Sequence, residues 1–362
     1  MSSDRMTQNA TALVASSVIT ALLGLLFWVF AARLFTTAEV GTGSAIITSI
    51  VLLGNLATLG LRNGLVRFIG AAGAAAGRFI VASYALCCSV ALVISVAFIA
   101  GTSWWAEELR VLEDEWLVGL CFALGTAVWT MFVLQDNVLT GLRRAIWVPI
   151  ENLVYSIAKL MLLFSLSVSA TWLLPLAWCV PALVLIVPVN ILIFRRLLPM
   201  HETNPAEPVF TRSEVARFAM GDFGADVIRL LGVEVVVLVV LGARGADDTA
   251  YVFFAITVAA SGQLVSNNIV TAFVAEASSR PAEAVELARR AAFNIARLIV
   301  PGALIGVLVA PAVLGTLGAQ YAENGTELLR LMLVDSIPVA VASLAIGWAR
   351  FRRSVRDMLL IP

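Results

Sequence analysis

A few charged residues set in apolar surroundings define the chemistry open to this sequence. Lys159 is the only lysine among 24 basic residues, and it stands near the middle of the apolar run 146–168. Asp222, Asp226 and Arg229 are spaced by four and three residues, which places them on one face of a helix, with Glu234 well off it. Asp335 lies in a further apolar run, and Arg62 and Arg67 sit at the end of the run 43–66. A charge at the centre of a membrane helix costs about 2.5–3.5 kcal/mol, so each of these needs a partner or a water-filled cavity. Two readings stand for each. Lys159 lines a cavity or pairs with a carboxylate. Asp226 and Arg229 pair locally or present a functional face, and Arg62 and Arg67 meet lipid phosphates or anchor their helix. Asp136 and Glu151 lie close to a basic loop, where solvation is expected.

Other chemistry is excluded by what the sequence lacks. One histidine, His201, in a polar loop leaves no paired-His haem, no multi-His metal site and no triad built on a membrane-embedded histidine. Cys87, Cys88, Cys121 and Cys179 fall in apolar stretches without metal-ligand spacing. The segment Gly70 to Gly77 is rich in glycine, but no Gly-Lys-Ser/Thr follows, so it reads as a flexible turn and not a phosphate loop. No cofactor and no metal are expected.

The elements that must carry these residues are membrane helices. Hydrophobic residues make up 60% of the chain and charged residues 13%, far from the roughly 45–50% apolar usage of soluble domains. Apolar runs at about 10–32, 43–66, 79–101, 116–139, 146–168, 173–194, 215–241, 250–275, 292–314 and 328–348 match the roughly 20 residues that cross a bilayer. The expectation is an all-α, polytopic inner-membrane protein of about ten transmembrane helices. Alternate loops carry Arg67 and Arg78, Arg143 and Arg144, Arg195, Arg196 and Arg212, Arg280 to Arg290, and Arg350 to Arg356. Cationic loops stay in the cytoplasm, which places both termini there too. The opposite loops hold Glu107 to Glu115, Asp247, Asp248 and Glu323. Trp104, Trp105, Trp116 and Trp172 mark the outer boundary as interface anchors. Net charge is zero, so no nucleic-acid partner is implied.

The loop after the sixth run contains Pro199, Pro205 and Pro208 and divides the chain. The expected organisation is a six-helix bundle at 1–200, a cytoplasmic linker at 201–214 and a four-helix partial bundle at 215–362. A shift of roughly 209 residues lays the first two helices over the seventh and eighth. It sets Thr36 to Gly41 against Gly245 to Ala250, as a parallel repeat would.

Asn9, the stretch Gly24 to Phe35, Val40-Gly41, Leu59-Gly60-Leu61 and Val66-Arg67-Phe68 together resemble the polysaccharide-biosynthesis or O-antigen flippase family. Leu317 to Ala322 followed by Leu328 to Leu331 looks like that family's outer turn before its tenth helix. The resemblance extends to the larger group holding the lipid II flippases and the multidrug and toxin extrusion antiporters. It implies two six-helix bundles around a central cavity, of which the second is incomplete here because the sequence stops at Pro362, where an eleventh helix would begin. It also implies a transporter, not an enzyme, that moves an isoprenoid-pyrophosphate-linked oligosaccharide between leaflets by alternating access. Lys159, Arg229 and Arg62 would bind that substrate. Asp222, Asp226 and Asp335 would couple its movement to protons or sodium. The alternatives are a cation or drug antiporter, against which the central Lys159 and Arg229 speak, and a membrane-embedded enzyme of polysaccharide assembly, against which the short outer loops speak.

Overall fold

The computed structural model describes residues 19–20, 22–165, 172–201, 210–279 and 281–352, and all regular structure among them is helical. The principal helices are α1 (Leu22–Leu34), α2 (Thr37–Ala57), α3 (Leu61–Phe68), α4 (Ala76–Ile99), α5 (Trp116–Gly141), α6 (Trp147–Ser165) and α7 (Leu173–Leu192). They continue with α8 (Arg212–Arg244), α9 (Ala246–Ser279), α10 (Ala284–Gly315) and α11 (Ala319–Arg352). Among the described residues, eight helices are long and apolar enough to cross a membrane. Helices α1 and α8 lie on the first and seventh expected runs; residues 10–18 of the first run lie outside the described residues. The chain is a multi-pass membrane protein.

The chain forms two compact units, Met1–Ala250 and Tyr251–Pro362. At the centre of the first is α2, with 78% of its apolar window buried. Its sequence explains that burial. Gly41, Gly43, Ser44, Ala45, Ser49 and Gly54 let neighbouring backbones approach closely, which replaces the hydrophobic drive that lipid removes. The N-terminus of α2 is closed by a capping box, in which Thr36 accepts from the Glu39 N–H and Glu39 accepts from the Thr36 N–H.

The expected run 43–66 is not one helix. It breaks at Thr58 to Gly60, where Leu59 (φ 50°) and Gly60 (φ 73°) are left-handed. The cause is packing: a Cβ on Gly60 would lie 2.2 Å from the Ala219 carbonyl oxygen of α8, so only glycine lets that backbone cross here. The Gly70 to Gly77 segment, expected to be a flexible turn, instead forms two short 3₁₀ turns with Ala72 and Ala76 buried. These pack with Leu65, Ile69, Leu134 and Leu139 in the main core cluster of the first unit.

The second unit packs α10 against α11 and α9. One cluster centres on Phe273, Ala277 and Leu287, and another on Val270, Ile295, Ile299 and Ala340.

Candidate functional site

Helix α6 supplies the organising line. Glu151, Tyr155, Lys159 and Leu163 follow at four-residue intervals, share one face, and are each no more than 4% exposed. This is an apolar helix with a polar inner seam. Glu151 and Lys159, eight residues apart, are separated by about 12 Å along the axis.

At the Lys159 end the surroundings are aromatic. The ammonium lies 4.0 Å from the ring centre of Trp178 and 5.1 Å from those of Phe27 and Tyr155. Trp129 continues the cage, 5.8 Å from Trp178 between ring centres. Tyr155 donates to the Trp178 carbonyl at 3.2 Å. The faces of these rings attract the cation, most strongly when it is desolvated. No carboxylate among the described residues pairs with Lys159, so its partner is the ring system and not the ion pair one reading expected. The indole N–H groups of Trp129 and Trp178 are also buried without an acceptor among the described residues. A buried cation held by ring faces and two buried indole N–H groups without an acceptor among the described residues therefore lie in one cage.

The Glu151 end has the opposite character. Both oxygens of Glu151, Oδ1 of Asp136, Oε1 of Gln135 and Oδ1 of Asn190 are buried without a donor among the described residues, as is the Tyr84 hydroxyl. Asp136 Oδ2 accepts from Asn152 at 3.1 Å. Glu151, Asp136 and Tyr84 lie within electrostatic reach of one another, and Arg62 is near Asp136. Gln135 and Asn190 both donate to the Ile186 carbonyl, at 3.1 and 2.9 Å. The expectation that Asp136 and Glu151 are solvated at a membrane edge is therefore corrected. Nearness to a basic loop set their expected depth, whereas the packing of α4, α5 and α6 sets their burial. The i, i+4, i+8 spacing of Glu151, Tyr155 and Lys159 was the available signal.

The other candidates are dispersed. Arg62 donates to the Asn55 side chain at 3.3 Å. Asp222 accepts from the Asn63 amide at 3.1 and 2.9 Å, tying the first half of α8 to α3. The side chains of Asp226 and Arg229 lie outside the described residues. Asp335 is exposed on α11. Among the described residues no group of three or more His, Cys, Asp or Glu could hold a metal ion. Trp104 and Trp116 are 89% and 76% exposed, a position suited to interface rings.

The fold has relatives among solved structures. An inward-facing multidrug resistance MATE family transporter of the MOP superfamily superposes with a TM-score of 0.73 at 14% identity, over 94% of this chain and 83% of that one. The lipid II flippase MurJ, in an inward closed conformation, gives 0.76 at 10% identity, over 97% and 78%. A MOP superfamily transporter from Pyrococcus furiosus, described by the reversed polarity of its binding pocket, gives 0.63 at 15% identity, over 96% and 82%. No curated protein shows significant sequence similarity to the chain. The fold is thus that of membrane transporters, and the polysaccharide biosynthesis protein family matches residues 6–273, about three quarters of the sequence; the chain belongs to that family.

Proposed function

We propose that the protein is a flippase that carries an isoprenoid-pyrophosphate-linked oligosaccharide from the cytoplasmic to the outer leaflet of a bacterial cytoplasmic membrane. Family membership and the transporter fold support membrane export over enzymatic chemistry. The observation that carries the finer reading is the buried cation Lys159 among aromatic rings, beside the indole N–H groups of Trp129 and Trp178, which are buried without an acceptor among the described residues. Unmatched buried donors cost free energy, and the oxygens of a diphosphate are acceptors of the right charge to relieve it. A cationic drug would meet a like charge at this place.

In this reading Lys159 leaves its ring contacts to meet the diphosphate, and Arg62 and Arg229 add charge along the path. Asp222, Asp226 and Asp335 couple the cycle to a proton or sodium gradient. The lipid tail stays in the bilayer while the sugar crosses between two bundles, 1–200 and 215–362, joined by the linker 201–214, with both termini cytoplasmic. The test is reconstitution into liposomes with a fluorescent isoprenoid-diphosphate disaccharide, followed by quenching from outside. Movement between leaflets faster than in protein-free liposomes, and slowed by an unlabelled lipid diphosphate, supports the proposal. No acceleration, with active transport of an organic cation by the same protein, would replace it with the antiporter reading.

A further inference from the structure

A cavity of about 520 Å³ opens in the first unit where α4 and α8 begin, lined by Arg78 and Arg212 over Phe79, Phe210, Ser83 and Leu86. Both arginines are exposed, and among the described residues neither pairs with a carboxylate. Four other arginines, Arg110, Arg244, Arg290 and Arg330, each meet an acidic residue three or four positions away at 2.7–3.7 Å. The acid nearest in sequence to Arg212 is Glu214, and it is already committed, accepting from the Thr211 N–H at 2.7 Å and its hydroxyl at 3.1 Å. A cation in the first turn of a helix is also opposed by the backbone dipole, and Arg212 opens α8 while Arg78 is third in α4. Two guanidinium groups without a carboxylate partner among the described residues, both at helix starts, thus line one cavity and give it a positive rim that suits an anion.

The walls say which kind. Phe210 packs on Phe79 with ring centres 5.8 Å apart, and Leu86, 49% exposed, extends the apolar wall along the flank of α4, a membrane span. A soluble anion has no use for that surface, whereas a lipid has a phosphate for the rim and acyl chains for the flank. We propose that Arg78 and Arg212 hold the phosphate of an anionic membrane lipid, at a site separate from the Lys159 cage. The planar guanidinium fork matches phosphate oxygens in pairs.

Native mass spectrometry of the purified full chain tests this with dioleoylphosphatidic acid and dioleoylphosphatidylcholine. Phosphatidic acid should be retained preferentially. Each arginine near an anionic headgroup contributes about fivefold in affinity, so R78Q/R212Q should weaken retention about 25-fold. The charge-matched control R143Q/R144Q, on another loop, should change it less than twofold. R78K/R212K keeps the charge and should recover part of the binding, which guards against a glutamine variant that fails to fold. Equal loss in the two glutamine variants would mean a diffuse surface charge and overturn the site. Displacement of the lipid by equimolar inorganic phosphate would overturn the lipid assignment.

Discussion

The interiors of the two units differ in kind. In the first, buried polar side chains include Gln135, Glu151 and Lys159, and charge is held under a shell of aromatic and aliphatic groups. In the second, the described buried polar residues are Ser266, Thr326 and Ser336, while the ion pairs of Glu286 with Arg290 and Glu327 with Arg330 lie in the open. Arg330 also reaches the Val307 carbonyl at 3.2 Å, joining α11 to α10. Helices α10 and α11 present Leu304, Ile305, Leu308, Leu331 and Val341 outward, as surfaces in contact with acyl chains do. The second unit is thus built as a membrane solute, whereas the first holds desolvated charge that stability alone does not require. Replacing a buried ion with an apolar group of similar volume is often neutral or stabilising, so retained buried charge points to function.

The largest expected effect sharpens the contrast at the level of packing. Gly60→Ala adds a Cβ 2.2 Å from a backbone oxygen at a residue with φ 73°, and neither can yield cheaply. Left-handed strain and overpacking together should cost roughly 2–5 kcal/mol. Gly347→Ala in the second unit meets the Val270 Cγ1 at 2.4 Å, a side-chain tip that can rotate, and should cost about 1 kcal/mol. Thermal unfolding in detergent measures both. Equal losses would erase the distinction between a backbone-locked first unit and an adjustable second one.

Next come the buried charges. Lys159→Met keeps length and removes charge, so the melting temperature should hold or rise while lipid-diphosphate flipping falls about tenfold or more, the worth of a charged hydrogen bond. Lys159→Arg should retain part of the activity. Asp335→Asn, at an exposed position, should move stability by no more than about 0.5 kcal/mol. Any effect of Asp335→Asn should appear only in gradient-driven transport. A Lys159→Met protein that unfolds early but flips normally would make the cage structural.

How far these features could be read from sequence depends on range. The all-helical membrane architecture was legible in the apolar runs, and the family in the opening residues. Lys159 stood out because one lysine in the middle of an apolar run cannot be overlooked. Of its partners only Tyr155, one turn away on the same helix, left a sequence trace, since Phe27 and Trp178 come from two other helices and converge on it only after packing. The same limit hid the acceptor group around Glu151, assembled from α4, α5, α6 and α7. The break at Leu59 and Gly60 left a local trace in Arg62 and Asn63, polar residues inside an apparently continuous span. The reason for the break is the close crossing of α8, more than 150 residues away in sequence.

The smallest effect concerns the entry to α8, where the first unit has a capping box and a titratable group lies just outside the apolar run. Glu214 accepts from the Thr211 N–H and hydroxyl, and these hydrogen bonds hold its carboxyl below the usual carboxylate range, with Arg217 adding in the same direction. The unfolded chain lacks that arrangement, so the ionised form binds the folded state better and its contribution is present above the ordinary carboxylate pKa. It is lost as pH falls through the depressed folded value, because protonation removes an acceptor from the Thr211 N–H. Amide hydrogen exchange at residues 212–216 should therefore quicken on acidification, after correction for intrinsic rates. Glu214→Gln should flatten that dependence and leave exchange in α10 unchanged. If the variant keeps the full pH response, the cap is not its source, and the difference between the units does not extend to their helix ends.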